Sequence, residues 1–272
     1  MRVNNLFVKQ LNEYNYLGVF VGFSRLKIML IYQTMSQDER LQEALTDFRE
    51  LYDERLIKLI ERYRRTFTIA KKFPLAITCS IKTARNNRWS MTLYARNKTD
   101  TKSPGFIPLL KYRTSHGIGF LYPKIMDNWT MDVSIFDFTP HLISRYKERF
   151  LQANGEEEQV VENFMVDMMI RNMPLYIAYD EKHKCYVAFI NDGIFLSNQC
   201  NPHRYIQWKT FVSKDMLFEE QVKGFERFSD FRKSYMEKVA QTGEYAKGLV
   251  HLGNDGFPLM YGKHKTTLDK IL

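Results

Sequence analysis

Asp132–Arg149 reads DVSIFDFTPHLISRYKER, and the class of fold turns on it. Its first half alternates in the manner of a half-buried strand. Its second half opens a helix, because Thr139 is a good N-cap and Pro140 at the first helical position has its φ already set and no amide to leave unsatisfied. At 3.6 residues per turn His141, Arg145 and Arg149 form one ridge, with Leu142, Ile143, Tyr146 and Phe150 on the neighbouring face. In the first turn the positive helix end disfavours imidazolium, so the expected role of His141 begins from the neutral base. The competing reading is a solvated face, with Arg145 and Arg149 paired to Glu148 and other surface acids and His141 a loose cap.

Downstream, residues 155–158 open a second helix whose Val160, Val161, Phe164, Met165, Met168 and Met169 form an apolar stripe that reads as core. Strands are expected at Leu175–Tyr179, Cys185–Ile190, Gly193–Ser197 and Tyr205–Val212, with Asn191–Asp192–Gly193 a strong hairpin signal. A helix capped by Ser213 or Asp215 then runs to about Ala240, turning Leu217, Val222, Phe225 and Phe228 inward. The last thirty residues read as irregular.

Upstream, Met1–Gln33 has no clean period. From Ser36, a plausible N-cap, Leu41, Leu45, Phe48, Tyr52, Leu56, Leu59, Ile60 and Tyr63 predict a long amphipathic helix to about Arg65. Its acidic start (Asp38, Glu39, Glu43, Asp47) and basic end complement the helix dipole. Leu75–Thr83 and Arg88–Arg96 read as a hairpin about Ala84–Asn87, Lys98–Gly105 as a loop, and Phe106–Tyr112 and Gly117–Tyr122 as two more strands. The expected fold is α+β: an antiparallel twisted sheet packed on helices, with a long N-terminal helix and a small basic β segment. Two domains are expected, 1–131 and 132–272.

The formal charge of +9 and pI near 9.3 favour an acidic partner, and the distribution says more than the sum. Residues 76–131 hold nine Lys and Arg against two Asp. Arg85, Arg88, Arg96, Lys111 and Arg113, together with Arg204 further on, are candidate phosphate contacts. Trp89, Tyr94, Tyr112 and Tyr122 are candidate stacking partners for single-stranded nucleic acid. A half-buried sheet with one solvated face looks the same.

Three scattered cysteines do not make a secreted disulfide framework, and Leu17–Tyr32 is broken by Arg25 and Lys27. The expectation is therefore a cytoplasmic protein with no membrane segment. His183-x-Cys185 with Cys200-x-x-His203 is a conceivable zinc set. However, Cys185 lies in an apolar run and both histidines in polar turns, so no metal and no cofactor is expected. Glycine-rich phosphate loops, G-x-S-x-G and H-E-x-x-H are absent from the sequence.

The order strand, helix, helix, four strands over Asp132–Val212, opened by H-x-x-x-R-x-x-x-R, resembles the ribonuclease domains of RelE-type toxins and their uncharacterised bacterial relatives. No clear C-terminal catalytic tyrosine follows the last strand. The resemblance implies metal-independent RNA cleavage, with His141, Arg145 and Arg149 facing a strand that carries Arg204, Lys209 and Thr210, and an antitoxin as protein partner. The arginines would stabilise developing charge and the histidine would exchange a proton. Two functions follow as expectations: an RNA-binding endoribonuclease of toxin or defence type, or a non-catalytic nucleic-acid or protein interaction module bound through residues 76–131.

Overall fold

The computed structural model describes residues 34–125, 133–151, 158–172, 176–180, 185–198, 205–242, 250–252 and 258–260. The protein is α+β, and its chain divides into two compact units whose segments alternate along the sequence: 1–123 with 155–170, and 124–154 with 171–272.

In the first unit, helix α1 (Gln37–Leu51) starts at a capping box. The Ser36 side chain accepts from the Glu39 amide, and the Glu39 carboxylate accepts from the Ser36 amide at 2.7 Å. That backbone hydrogen bond, then the Ser36 hydroxyl, holds the Glu39 carboxyl below its usual range. A π-helical turn, Tyr52–Leu56, leads directly into α2 (Ile57–Ile69). The turn has a visible effect on the buried stripe. Leu41, Ala44, Phe48 and Leu51 are buried at spacings of three and four, as are Leu56, Leu59, Tyr63 and Phe67, yet the step from Leu51 to Leu56 is five. The wider turn keeps both halves on one face. Leu45, Tyr52 and Ile60, expected in the stripe, are only half-buried.

Strands β1 (Leu75–Lys82), β2 (Arg88–Ala95), β3 (Gly105–Thr114) and β4 (Gly117–Ile125) form an antiparallel meander. On one face Ile81, Trp89, Leu110 and Leu121 are successive cross-strand partners. This face meets the helices: the Phe48 and Trp89 rings lie 5.8 Å apart, and Cys79 Sγ donates to Tyr63 Oη at 3.5 Å. Two buried acids one helical turn apart clamp the β1–β2 hairpin to α1. Asp47 accepts from Trp89 Nε1 at 2.6 Å and from the Thr83 hydroxyl at 3.1 Å. Glu43 accepts the Arg85 guanidinium through two nitrogens and Asn87 Nδ2 at 3.0 Å. The hairpin turns on Asn86, whose φ of 65° is one that Asn tolerates. On the opposite face Lys111 Nζ reaches Glu162 of helix α4 (Glu158–Asn172) at 2.7 Å, inside the first unit.

The second unit is built on β5 (Val133–Phe138), β6 (Tyr176–Asp180), β7 (Cys185–Ile190), β8 (Gly193–Ser197) and β9 (Tyr205–Ser213), in the order β5-β9-β8-β7-β6. The expected all-antiparallel sheet needs correcting here, because β5 and β9 pair in parallel. Two helices and three strands lie between them in sequence, so β9 returns by a crossover rather than a hairpin. Helix α3 (Pro140–Tyr146) packs on the face of Phe138, Phe195, Trp208 and Phe211, with the Tyr146 ring 4.6 Å from Phe211. Helix α5 (Glu219–Thr242) covers the other face, where Phe225 and Phe228 pack on Phe189 and Ile194. Two short strands, β10 (Val250–Leu252) and β11 (Pro258–Met260), pair near the end.

Candidate nucleic-acid interface

The His141–Arg145–Arg149 ridge does not assemble. Thr139 caps α3 as its sequence predicts, accepting from the Leu142 amide at 3.3 Å and donating its hydroxyl to the Trp208 carbonyl at 2.9 Å. His141 is exposed. Arg145 pairs with Glu148 at 3.0 Å in a solvated ion pair, 38 % and 62 % exposed. From Lys147 the helix continues as a π-helical segment, Lys147–Leu151, whose wider turn breaks the four-residue ridge. Arg149 donates to the Phe211 carbonyl.

The strand expected to face the ridge also behaves differently. Leu196 pairs with Thr210 and Ser197 with Trp208, so Lys209 is an extra residue in β9. This bulge lets Trp208 and Phe211, three apart, share the α3 face, where both contact the Phe195 ring. Thr210 lies opposite Leu196, which packs on the α5 side, so it points away from α3. Lys209 is exposed, and Arg204 lies outside the described residues.

What α3 does meet is a polar knot at the β7–β8 turn. Tyr146 donates to Asp192, Arg171 Nη1 lies 3.5 Å from the same carboxylate oxygen, and Arg232 donates to Asn191 and, at 3.0 Å, to the Arg171 carbonyl. Burial, then the Asp192 charge, pushes the Tyr146 phenol well above its ordinary range. The groups are spent on one another, tying the helix ends to the hairpin tip.

The candidate phosphate contacts on β1–β4 and their connections fall into two sets. Arg85 is held by buried Glu43, which raises its already high pKa, and Arg96 lies over the Tyr94 ring, 5.5 Å from its centroid. Trp89 is fully buried with its N–H on Asp47, which withdraws it from stacking. The other three candidates, Arg88, Lys111 and Arg113, line up with Lys82. Lys82 is the direct cross-strand partner of Arg88, and Arg88 of Lys111, with Arg113 two residues further along β3 on the same face. Direct partners project to the same side of a sheet, so three cations occupy adjacent strands at about 4.8 Å spacing, a row roughly 10 Å long. Lys82, Arg88 and Arg113 are exposed, while Lys111 is 12 % exposed and held by Glu162. Among the described residues neither Lys82 nor Arg88 has a carboxylate partner.

Like charges placed directly opposite destabilise a sheet. A surface that keeps two of them, Lys82 and Arg88, without a carboxylate partner among the described residues is suited to an anion that spans more than one strand. Ser80, exposed and two residues from Lys82, adds a hydroxyl to the same face. Sequence reading singled out Arg88, Lys111 and Arg113 but passed over Lys82, whose pairing with Arg88 is visible only once the hairpin register is known.

Among the described residues no group of three or more His, Cys, Asp and Glu is placed to hold a metal ion. Cys185 is half-buried in β7, and His183, Cys200 and His203 lie outside the described residues. Among those residues no helix is long and apolar enough to cross a membrane. Comparison with protein-family models, curated proteins and solved structures finds no match to this chain.

Proposed function

We propose that this protein binds RNA, and that the cross-strand row Lys82–Arg88–Lys111 with Arg113 is the phosphate-contacting surface. The observation that carries the reading is the row itself: two exposed cations without a carboxylate partner among the described residues, in register beside a third. Phosphate contacts dominate nucleic-acid affinity and need cations set along a surface rather than a closed pocket. The choice of RNA rests on the sequence resemblance, since the row alone recognises phosphate. Cleavage is not part of the proposal, because an acid–base residue and charge-stabilising arginines must converge on one phosphate. Here His141, Arg145 and Arg149 are respectively solvent-exposed, paired with Glu148 and bonded to a backbone carbonyl.

The test is fluorescence anisotropy with a labelled 20-nucleotide RNA hairpin at low salt. Lys82→Glu/Arg88→Glu should weaken binding by about 10- to 100-fold while the melting temperature stays within a few degrees. His141→Ala should bind like the wild type, and the RNA should be recovered at full length after incubation in EDTA. Unchanged affinity in the double variant would remove the row from the account, and cleavage that disappears in His141→Ala would restore the ribonuclease reading.

A further inference from the structure

We infer that the ligand of this face is double-stranded, held through its phosphates with no base stacked on the protein; the inference rests on the RNA-binding reading above. Proteins that hold single strands combine a cationic track with aromatic platforms, because successive bases stack on exposed rings. The first unit has the aromatic residues for this, and its fold uses them elsewhere.

Tyr94 and Tyr112 are each the direct cross-strand partner of a glycine, Gly105 and Gly119. Each ring is laid over its glycine: a Cβ at Gly105 would fall 2.4 Å from the Tyr94 ring, and one at Gly119 2.3 Å from the Tyr112 ring. The rings thus fill the space a side chain would take, and both tyrosines are buried. Tyr112 also lies on the α1 side of the sheet, where the Arg40 guanidinium sits 5.4 Å from its centroid. Phe120, directly opposite Lys111, is fully buried. Tyr122, on the cationic face, is half-buried, with its phenol pushed above the ordinary range by burial. Trp89 projects to the other face.

No exposed ring is therefore present on the cationic face of this sheet among the described residues, whereas Lys82, Arg88, Arg113 and the Ser80 hydroxyl are exposed there. Such a surface gains from charge density and not from unpaired bases. A duplex presents about one charge per 1.7 Å of axis, roughly twice that of a single strand, and releases more counterions for each contact. Recognition of double-stranded RNA runs through phosphates and 2′-hydroxyls, which cations and a serine hydroxyl can meet.

The experiment compares a 20-base-pair RNA duplex with an unstructured 20-nucleotide oligouridine by anisotropy, from about 50 to 200 mM salt, on the full-length chain and on Lys82→Glu/Arg88→Glu. The inference expects the duplex to bind at least about tenfold more tightly, with the steeper salt dependence, and to lose most of that advantage in the double variant. Oligouridine binding as tightly as the duplex, and weakened by the same variant, would overturn the duplex assignment and leave the RNA-binding reading in place. Failure of both ligands to bind would overturn the two together.

Discussion

Glu43 shows how a single side chain can mislead sequence reading. In sequence it belongs to an acidic first half that serves the helix dipole; in the fold it is 3 % exposed and clamps Arg85 and Asn87. Nothing in helical spacing separates a solvated glutamate from a buried one whose partners lie more than forty residues away. Its removal leaves buried Asn87 and half-buried Arg85 without their acceptor, so Glu43→Ala is expected to destabilise the protein by about 2–4 kcal/mol in urea denaturation. Arg145→Ala, which breaks a solvated pair, is expected to change stability by less than about 0.5 kcal/mol. Tyr63 supplies a pH signature. Burial first, then the Cys79 hydrogen bond, pushes its phenol up to about 12. Above pH of about 10 the unfolded chain releases this proton while the folded chain retains it, so stability falls as pH rises from there toward 12. Tyr63→Phe should flatten that decline in melting temperature between pH of about 10 and 12, and an unchanged slope would exclude Tyr63 as its source.

At the scale of elements, local signals were legible and phase changes were not. Thr139–Pro140 correctly marks the start of α3, Ser36 marks that of α1, and the Asn191–Asp192–Gly193 turn closes β7 on β8. Each is a short-range device whose chemistry lies within a few residues. The π turns at Tyr52–Leu56 and Lys147–Leu151 and the bulge at Lys209 leave no such mark, yet each shifts which residues share a face. The ridge of His141, Arg145 and Arg149 depended on unbroken α-helical phase past Lys147, and its facing strand on unbroken alternation past Trp208. Gly193 tests one of the correctly read devices. Its φ is +152°, and a Cβ there would fall 2.1 Å from the Val212 carbonyl oxygen. Gly193→Ala is therefore expected to destabilise by more than about 2 kcal/mol in urea denaturation, and a loss under 0.5 kcal/mol would show that the turn relaxes freely.

Over the whole molecule, the basic excess was correctly located in residues 76–131, but composition does not say which of those cations face solvent together. Buried Glu43 takes Arg85, Tyr94 underlies Arg96 and the Thr68 and Ala70 carbonyls take Lys98, while the strand register gathers Lys82, Arg88, Lys111 and Arg113. Repulsion along this row predicts a trade between stability and binding. Arg88→Thr should raise stability by a few tenths of a kcal/mol in urea denaturation while weakening RNA binding. The most direct measurement is the slope of log affinity against log salt for duplex RNA, compared between the wild type and Lys82→Gln/Arg88→Gln. If both side chains contact phosphates, the double variant should lower the slope by about two units. An unchanged slope would mean that neither touches the nucleic acid and would contradict the account at its centre.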